Sequence, residues 1–309
     1  MKIKTRRYYL YYLARILFFV ISIVPRQISL FLASALGKGA FRLLEKERSI
    51  AVGNLDEVMG GSHRENVRIA EGVFSNMAKN GADWIKMMSI SKSGIQRMVT
   101  EVHGLDNLHE ALEKGKGVIG LGSHFGNWEL LLIYLSTKGY KGAVVGRRIY
   151  FHKYDKLITR LRNRFGTPVI YRDESPKKSL RVLRDGGILG ILADQDVDSV
   201  EGVFVDFFGK PAFTPTAPVK LSMATGAPLL PGFMIRKPDN TYKMVWEKPI
   251  SSPQGKDKEE DVLRLTQEWT AVLEKYIREY PDQWVWLHRR WKSSPPETEP
   301  VSQEAGEKA

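Results

Sequence analysis

Residues 117–129 read Gly117-Val-Ile-Gly-Leu-Gly-Ser-His-Phe-Gly-Asn-Trp-Glu129: an apolar run bounded by glycine, then a turn carrying His124, Asn127 and Glu129. A short apolar run of this kind suits a fully buried strand, and Asn127 is a good N-cap for the helical stretch near 127–138 that follows. The texture recurs downstream. Apolar runs at 142–146, 168–171, 188–193 and 228–235 alternate with helical segments near 152–165, 176–185 and 215–225. Strand, helix and strand repeated in this way predict an α/β fold, a central mostly parallel sheet flanked by helices, with functional loops at the carboxyl ends of the strands. Thr241–Glu247 alternates apolar and polar residues and reads as an edge strand, and Glu259–Tyr280 as a long helix with an acidic start. Upstream, Ser62 and Glu65 have capping-box spacing ahead of an amphipathic pattern at Val67, Ala70, Phe74 and Met77.

The 309 residues are 27% charged and 43% hydrophobic, which describes a folding chain with one large domain or two small ones. No cysteine is present, which excludes a disulfide scaffold, a thiolate metal site and a cysteine nucleophile. The net charge of +12 is unevenly spread: residues 1–44 carry +8, residues 141–184 carry +10, and the remainder is mildly acidic at −6. Two basic zones argue for two separate anionic contacts rather than a uniform nucleic-acid-binding surface. The first zone holds Tyr8–Val24, whose apolar stretch contains Arg15, and a second apolar run at Ile28–Phe41. Neither reaches the ~20 apolar residues that span a bilayer, and no small-residue cleavage site follows them. Tyrosines and basic flanks predict membrane-anchoring helices at 1–44, with a buried N-terminal helix hairpin as the alternative. The α/β domain is expected over 45–292, and the Pro/Glu/Ser-rich residues 293–309 read as a disordered tail.

Glycines 120, 122 and 126 make GxGxxxG, one residue off the dinucleotide fingerprint, and Arg147-Arg148 at the next strand end would suit a 2′-phosphate. An NADP-dependent oxidoreductase therefore competes. Against it, the turn carries a titrating base, and Glu129 would repel a pyrophosphate. Ser123 lacks the spacing of a nucleophile elbow, and HExxH is absent. His124 and Glu129 meet only if the helix begins at Asn127 and His124 folds back over its first turn. The imidazole would then be held in one tautomer and would act as a base on a hydroxyl brought by the substrate.

His124-Phe-Gly-Asn-Trp-Glu129 resembles the HxxxxD/E signature of glycerolipid-type acyltransferases, in the form found in the bacterial late acyltransferases of lipid A biosynthesis, the lauroyl/myristoyl transferase family. Further segments match in order: Arg162-Asn-Arg164-Phe-Gly166, Ala193-Asp-Gln-Asp196, Gly202 to Gly209, Thr214-Pro-Thr216, Thr225 to Pro231, and Tyr280 to Trp291. The resemblance covers about residues 5–292 and implies a glycerolipid-acyltransferase-like fold. It implies transfer of a fatty acyl chain from acyl carrier protein or acyl-CoA to a hydroxyl of a lipid A precursor. His124 would be the general base and Glu129 its orienting partner. Arg164, or Arg162 nearby, would bind the acceptor's phosphate or the oxyanion. Asp194 falls on the family's acidic position, with Asp196 as runner-up. No cofactor, metal or covalent acyl-enzyme is implied, and the partners are the acyl donor, a glycolipid acceptor and membrane lipids, not nucleic acid. The location implied is the cytoplasmic face of a bacterial inner membrane.

Alternatives remain at this point. They are an acyltransferase of a phosphatidylinositol mannoside or another glycolipid, a metal-dependent glycosyltransferase using Asp194-Gln-Asp196, and a non-enzymatic basic binder. Phe204, Phe207 and Phe208 line an acyl pocket or form core, and the Trp284–Trp291 run is expected to pack rather than react.

Overall fold

The computed structural model describes residue 16 and residues 18–148, 152–197, 199–250, 255 and 257–296. The expected tyrosine-rich start of the anchor, in residues 1–15, and residues 297–309 of the expected tail lie outside the described residues.

The run at 117–122 becomes β2 (Val118–Gly122), every residue of which is buried. Around it a seven-stranded sheet forms in the order β1-β9-β8-β2-β5-β3-β4. Here β1 is Val99–His103, β3 Gly142–Gly146, β4 Val169–Tyr171, β5 Ile188–Leu192, β8 Leu229–Arg236 and β9 Tyr242–Trp246. Strands β8, β2, β5, β3 and β4 are mutually parallel, as buried apolar runs joined by helical crossovers require. β9 returns antiparallel to β8. It is not the edge strand that its alternation suggested, because β1 pairs with its other side. Alternation reports that Tyr242, Met244 and Trp246 are fully buried while Lys243 and Val245 are half-buried; it says nothing about edges. A separate hairpin, β6 (Gly202–Phe207) with β7 (Lys210–Pro215), stands outside the sheet.

Helices cover both faces, and neighbouring strand residues divide between them. Ile119, Leu121, Leu189 and Phe233 join a core with α3 (His63–Met87) and α10 (Lys258–Glu279). Val118, Ile188, Leu230 and Met234 join a second core with α4 (Lys92–Met98), α5 (Leu105–Glu113), α6 (Trp128–Thr137) and α7 (His152–Arg164). The helices α8 (Ser175–Arg184) and α9 (Ala217–Thr225) connect further strands. The capping box at Ser62 and Glu65 forms as expected: each side chain accepts the other's backbone N–H.

At the N-terminus, helical residues 18–23 lead through Pro25 into α1 (Arg26–Leu43), followed by α2 (Glu45–Val58). One face of α1 packs on α3 through Leu30, Ala33, Gly37 and Phe41. The crossing is so close that a Cβ at Gly37 would lie 2.5 Å from the Phe74 carbonyl oxygen. The opposite face is apolar yet exposed: Phe31 keeps 73% and Leu43 82% of its surface, with Ile28 and Leu36 also open. Among the described residues no helix is long and apolar enough to cross a membrane.

Candidate active site

Strands β2 and β5 are parallel neighbours in register, with Gly122 beside Leu192. His124 and Asp194 each lie two residues past these ends, so the register sets them side by side. Nδ1 of His124 donates to Oδ1 of Asp194 at 2.9 Å, and the His124 backbone N–H donates to Oδ2 at 2.9 Å. The Trp284 indole N–H reaches the same Oδ2 at 3.0 Å. Asp194 is fully enclosed, whereas the His124 side chain keeps 27% of its surface. With Nδ1 engaged, Nε2 carries the ring's free lone pair.

Burial alone would raise the Asp194 carboxyl, but the neighbouring imidazole and three N–H donors outweigh it and hold the group below the usual carboxylate range. Burial likewise pushes His124 down, and the Asp194 charge, its hydrogen bond and the nearby Glu129 charge lift it above the ordinary histidine value. The arrangement is a base whose protonated form is stabilised by a buried anion.

The carboxylate hydrogen-bonded to His124 is Asp194, whereas the partner expected from the sequence was Glu129. Glu129 sits in the first turn of α6, whose N-cap Asn127 accepts the Leu130 N–H. There it faces Arg162, whose Nε donates to its Oε2 at 2.9 Å and whose Nη2 donates to Oε1. Arg162 and Glu129 both line the cleft at His124. Arg164 does not. Its guanidinium donates to the carbonyls of Met88 and, at 3.0 Å, Ile90, closing the C-terminal end of α3, and it stacks over Phe165. Two residues along one helix point roughly 200° apart, so only one of these arginines can face the cleft. Asp196 is also turned away: buried, it accepts the backbone N–H and hydroxyl of Ser293, both at 3.0 Å, and so fixes the first residue of the expected tail.

Gly126 adopts φ +56°, and a Cβ there would lie 2.0 Å from the Met234 carbonyl oxygen. This tight turn commits its donors: the N–H of Gly126 to Gln283 O at 2.8 Å and that of Asn127 to Met234 O at 2.9 Å. With the His124 N–H on Asp194 and the Leu130 N–H on Asn127, four N–H groups of the turn are taken up within the protein rather than left for a pyrophosphate. Arg148 is likewise engaged, with Glu174 and over the Tyr171 ring. These commitments of the turn and of Arg148 count against the nucleotide reading.

The cleft has a volume of about 1230 Å³ and runs from His124 between β3, β5, α8 and α9. Arg147, Arg148, Arg172 and Lys220 give it a basic lining, and Leu180, Leu192, Val200 and Leu221 an apolar one. Phe207 and Phe208 are absent from it. They are buried against Trp284, Trp286 and Trp291 and belong to the core. Trp284, expected only to pack, contributes its N–H to Asp194 and pairs through the backbone with Phe125.

The sequence profile of the bacterial lipid A biosynthesis acyltransferases matches residues 1–293. The chain is 28% identical over 301 residues to a lipid A biosynthesis lauroyltransferase of Escherichia coli, covering 94% of this chain and 93% of the relative. A lipid A biosynthesis palmitoleoyltransferase of the same organism is 26% identical over 288 residues, covering 88% and 87%. A phosphatidylinositol mannoside acyltransferase of Mycobacterium tuberculosis is 27% identical over 194 residues, covering 62% and 59%. A base–carboxylate pair at the head of an apolar, basic-lined cleft thus stands on a chain that belongs to the bacterial lipid A biosynthesis acyltransferase family, and the protein is an O-acyltransferase.

Proposed function

We propose that the chain moves a fatty acyl group from a carrier thioester, acyl carrier protein or coenzyme A, onto a hydroxyl of a lipid A precursor at the cytoplasmic face of a bacterial inner membrane. The observation that carries this reading is the His124–Asp194 pair opening onto the cleft. Nε2 of His124 takes the proton of the acceptor hydroxyl as its oxygen attacks the thioester carbonyl carbon. The imidazolium so formed is stabilised by the buried Asp194 charge. Positive charge for the tetrahedral oxyanion comes from the N–H groups of Trp128 and Glu129 at the start of α6, which precede the first intrahelical acceptor, and from Arg162 held by Glu129. Collapse breaks the C–S bond, and the imidazolium returns its proton to the departing thiolate.

The basic lining suits the phosphates of either substrate, and the apolar walls suit an acyl chain. At about 1.5 Å per residue, the 18 residues of α1 fit a helix lying in the interface, its exposed apolar face in lipid and Lys38 and Arg42 near anionic headgroups. The relative that acylates a phosphatidylinositol mannoside supports a second acceptor class for the same site, another phosphorylated glycolipid. Mass spectrometry of lipid A from cells with and without the protein decides between them. A gain of one acyl chain is expected with the wild type and none with His124→Ala. A full gain with folded His124→Ala protein would remove the base from the mechanism.

A further inference from the structure

A second polar cluster lies behind the catalytic turn, off the cleft, and the mechanism above does not use it. Asp83 on α3 is completely buried. Arg26, the first residue of α1, donates to it from Nε at 2.6 Å and Nη2 at 3.0 Å. Arg236 donates from Nη1 at 2.9 Å, and the Tyr242 hydroxyl donates at 2.6 Å. Two branches then converge on the turn that carries His124. In one, the Tyr242 oxygen accepts from Asn127 Nδ2 at 2.9 Å, while Asn127 Oδ1 caps α6. In the other, Arg236 Nη2 donates to Asn80 Oδ1 at 2.8 Å, and Asn80 Nδ2 donates to the Gly126 carbonyl at 2.6 Å. Burial and the Asp83 charge hold the Tyr242 phenol far above its ordinary value, so its hydroxyl stays protonated across the working range.

The same helix corner is tied down by Lys86, which donates to the carbonyls of Ser22 and Val24 just ahead of Pro25. The N-terminal helices are therefore bolted by buried charges to the groups that shape the active turn. We propose that Asp83 and Tyr242 are positioning residues: Arg26, seated on Asp83, fixes the Tyr242 hydroxyl and through Asn127 and Gly126 keeps His124 in reacting geometry, so that the membrane-facing helices are part of the catalytic scaffold.

The proposal rests on His124 as the base, and the test separates the two. Acyl transfer to detergent-dispersed acceptor is measured with wild type, His124→Ala, Tyr242→Phe, Arg26→Gln and the Arg26→Gln/Tyr242→Phe double variant. Thermal unfolding and vesicle partition are recorded alongside. Tyr242→Phe keeps the ring between Arg26 and Arg236 and removes one hydroxyl. It is expected to lower kcat by about 10- to 100-fold, the range that small misplacement of a reacting group costs, with KM and vesicle partition within about twofold of wild type. Because both changes act through one chain of contacts, the double variant is expected to be no worse than the poorer single one. A kcat within twofold of wild type for Tyr242→Phe, an effect confined to KM, or losses that multiply in the double variant overturns the proposal. Retained activity in His124→Ala overturns instead the reading on which it rests. Asp83→Asn is avoided because an unpaired pair of guanidinium groups in that site threatens folding.

Discussion

Asp194→Asn keeps the side chain's shape and removes its charge, which makes it the most direct probe of which carboxylate serves His124. In the wild type the two carboxylate oxygens accept three N–H groups, from His124 Nδ1, the His124 backbone and the Trp284 indole. An amide offers one oxygen. If that oxygen keeps the backbone and indole donors, its NH2 faces Nδ1, and the imidazole proton moves to Nε2, the nitrogen proposed to accept the substrate's proton. The loss combines a charge-assisted bond worth about 1.5–3 kcal/mol with an inverted tautomer. The equivalent substitution in a serine-protease triad, where a carboxylate also holds Nδ1–H, costs about 10⁴ in kcat. A fall of about 10³–10⁴ is expected here, or about 4–5.5 kcal/mol of barrier.

The pH dependence has a definite sign. His124 is raised by Asp194, so removing the charge moves the acidic limb of the rate profile to lower pH while the plateau collapses. Stability follows by linkage. The depressed Asp194 contributes stability above roughly pH 4 that is lost as pH falls through its lowered pKa, and the raised His124 contributes stability below roughly pH 6.5 that is lost as pH rises through its raised one. The gap in Tm between wild type and variant is thus widest between about pH 4 and 6.5. Single-turnover transfer from a thioester donor at about pH 5–9 reads the plateau and the acidic limb, and thermal scans from about pH 3 to 9 read the gap in Tm. A variant within threefold of wild type, with its acidic limb unmoved, would refute the reasoning and return the orienting role to Glu129.

Two further outcomes follow from the geometry. Phe31→Ser with Leu36→Ser removes two exposed apolar side chains from α1; at about 1.5–3 kcal/mol each if buried in lipid, vesicle partition measured by sedimentation should fall at least 100-fold, with thermal stability unchanged. Partition that stays within threefold of wild type would show that this face does not enter the bilayer. Gly126→Ala places a methyl group against the Met234 carbonyl in a left-handed backbone; a loss of about 2–4 kcal/mol in urea unfolding is expected, with activity falling as the turn shifts. An unchanged urea midpoint would mean the turn relaxes without cost.

The strands and their helices were legible because each obeys a local rule: a buried parallel strand reads as an unbroken apolar run, as in Val118–Gly122 and Ile188–Leu192. What local reading does not supply is which strands are neighbours. His124 finds Asp194 only because β5 lies next to β2, seventy residues on in the chain and out of sequential order. Glu129 is the nearest carboxylate in sequence, and the HxxxxD/E resemblance favoured it. Arg162 and Arg164 show the same limit from the other side. Helical geometry says that one of them faces the site, but only the packing of α7 on the α3 terminus says that it is Arg162. The cluster at Asp83 joins positions 26, 83, 236 and 242, whose separations leave no periodic trace.

The N-terminal helices show why two opposed expectations arose from one stretch of sequence. The run Ile28–Phe41 was legible either as an anchor or as part of a buried hairpin, and α1 has a face for each. Leu30, Ala33, Gly37 and Phe41 fill the groove of α3, as a buried helix requires. Ile28, Phe31, Leu32 and Leu36 project from the other side, as an interfacial helix requires. A helix with apolar side chains on two opposite faces needs two apolar neighbours. For α1 one neighbour is α3, the helix that also carries Asp83 and Asn80; the proposed second is lipid. Of the contacts that hold α1 on the body, the Arg26–Asp83 pair is the one that continues through Tyr242 to Asn127 in the turn beneath His124. If the acceptor lies in the membrane, as proposed, the surface that meets the substrate's phase is built into the scaffold proposed to orient His124.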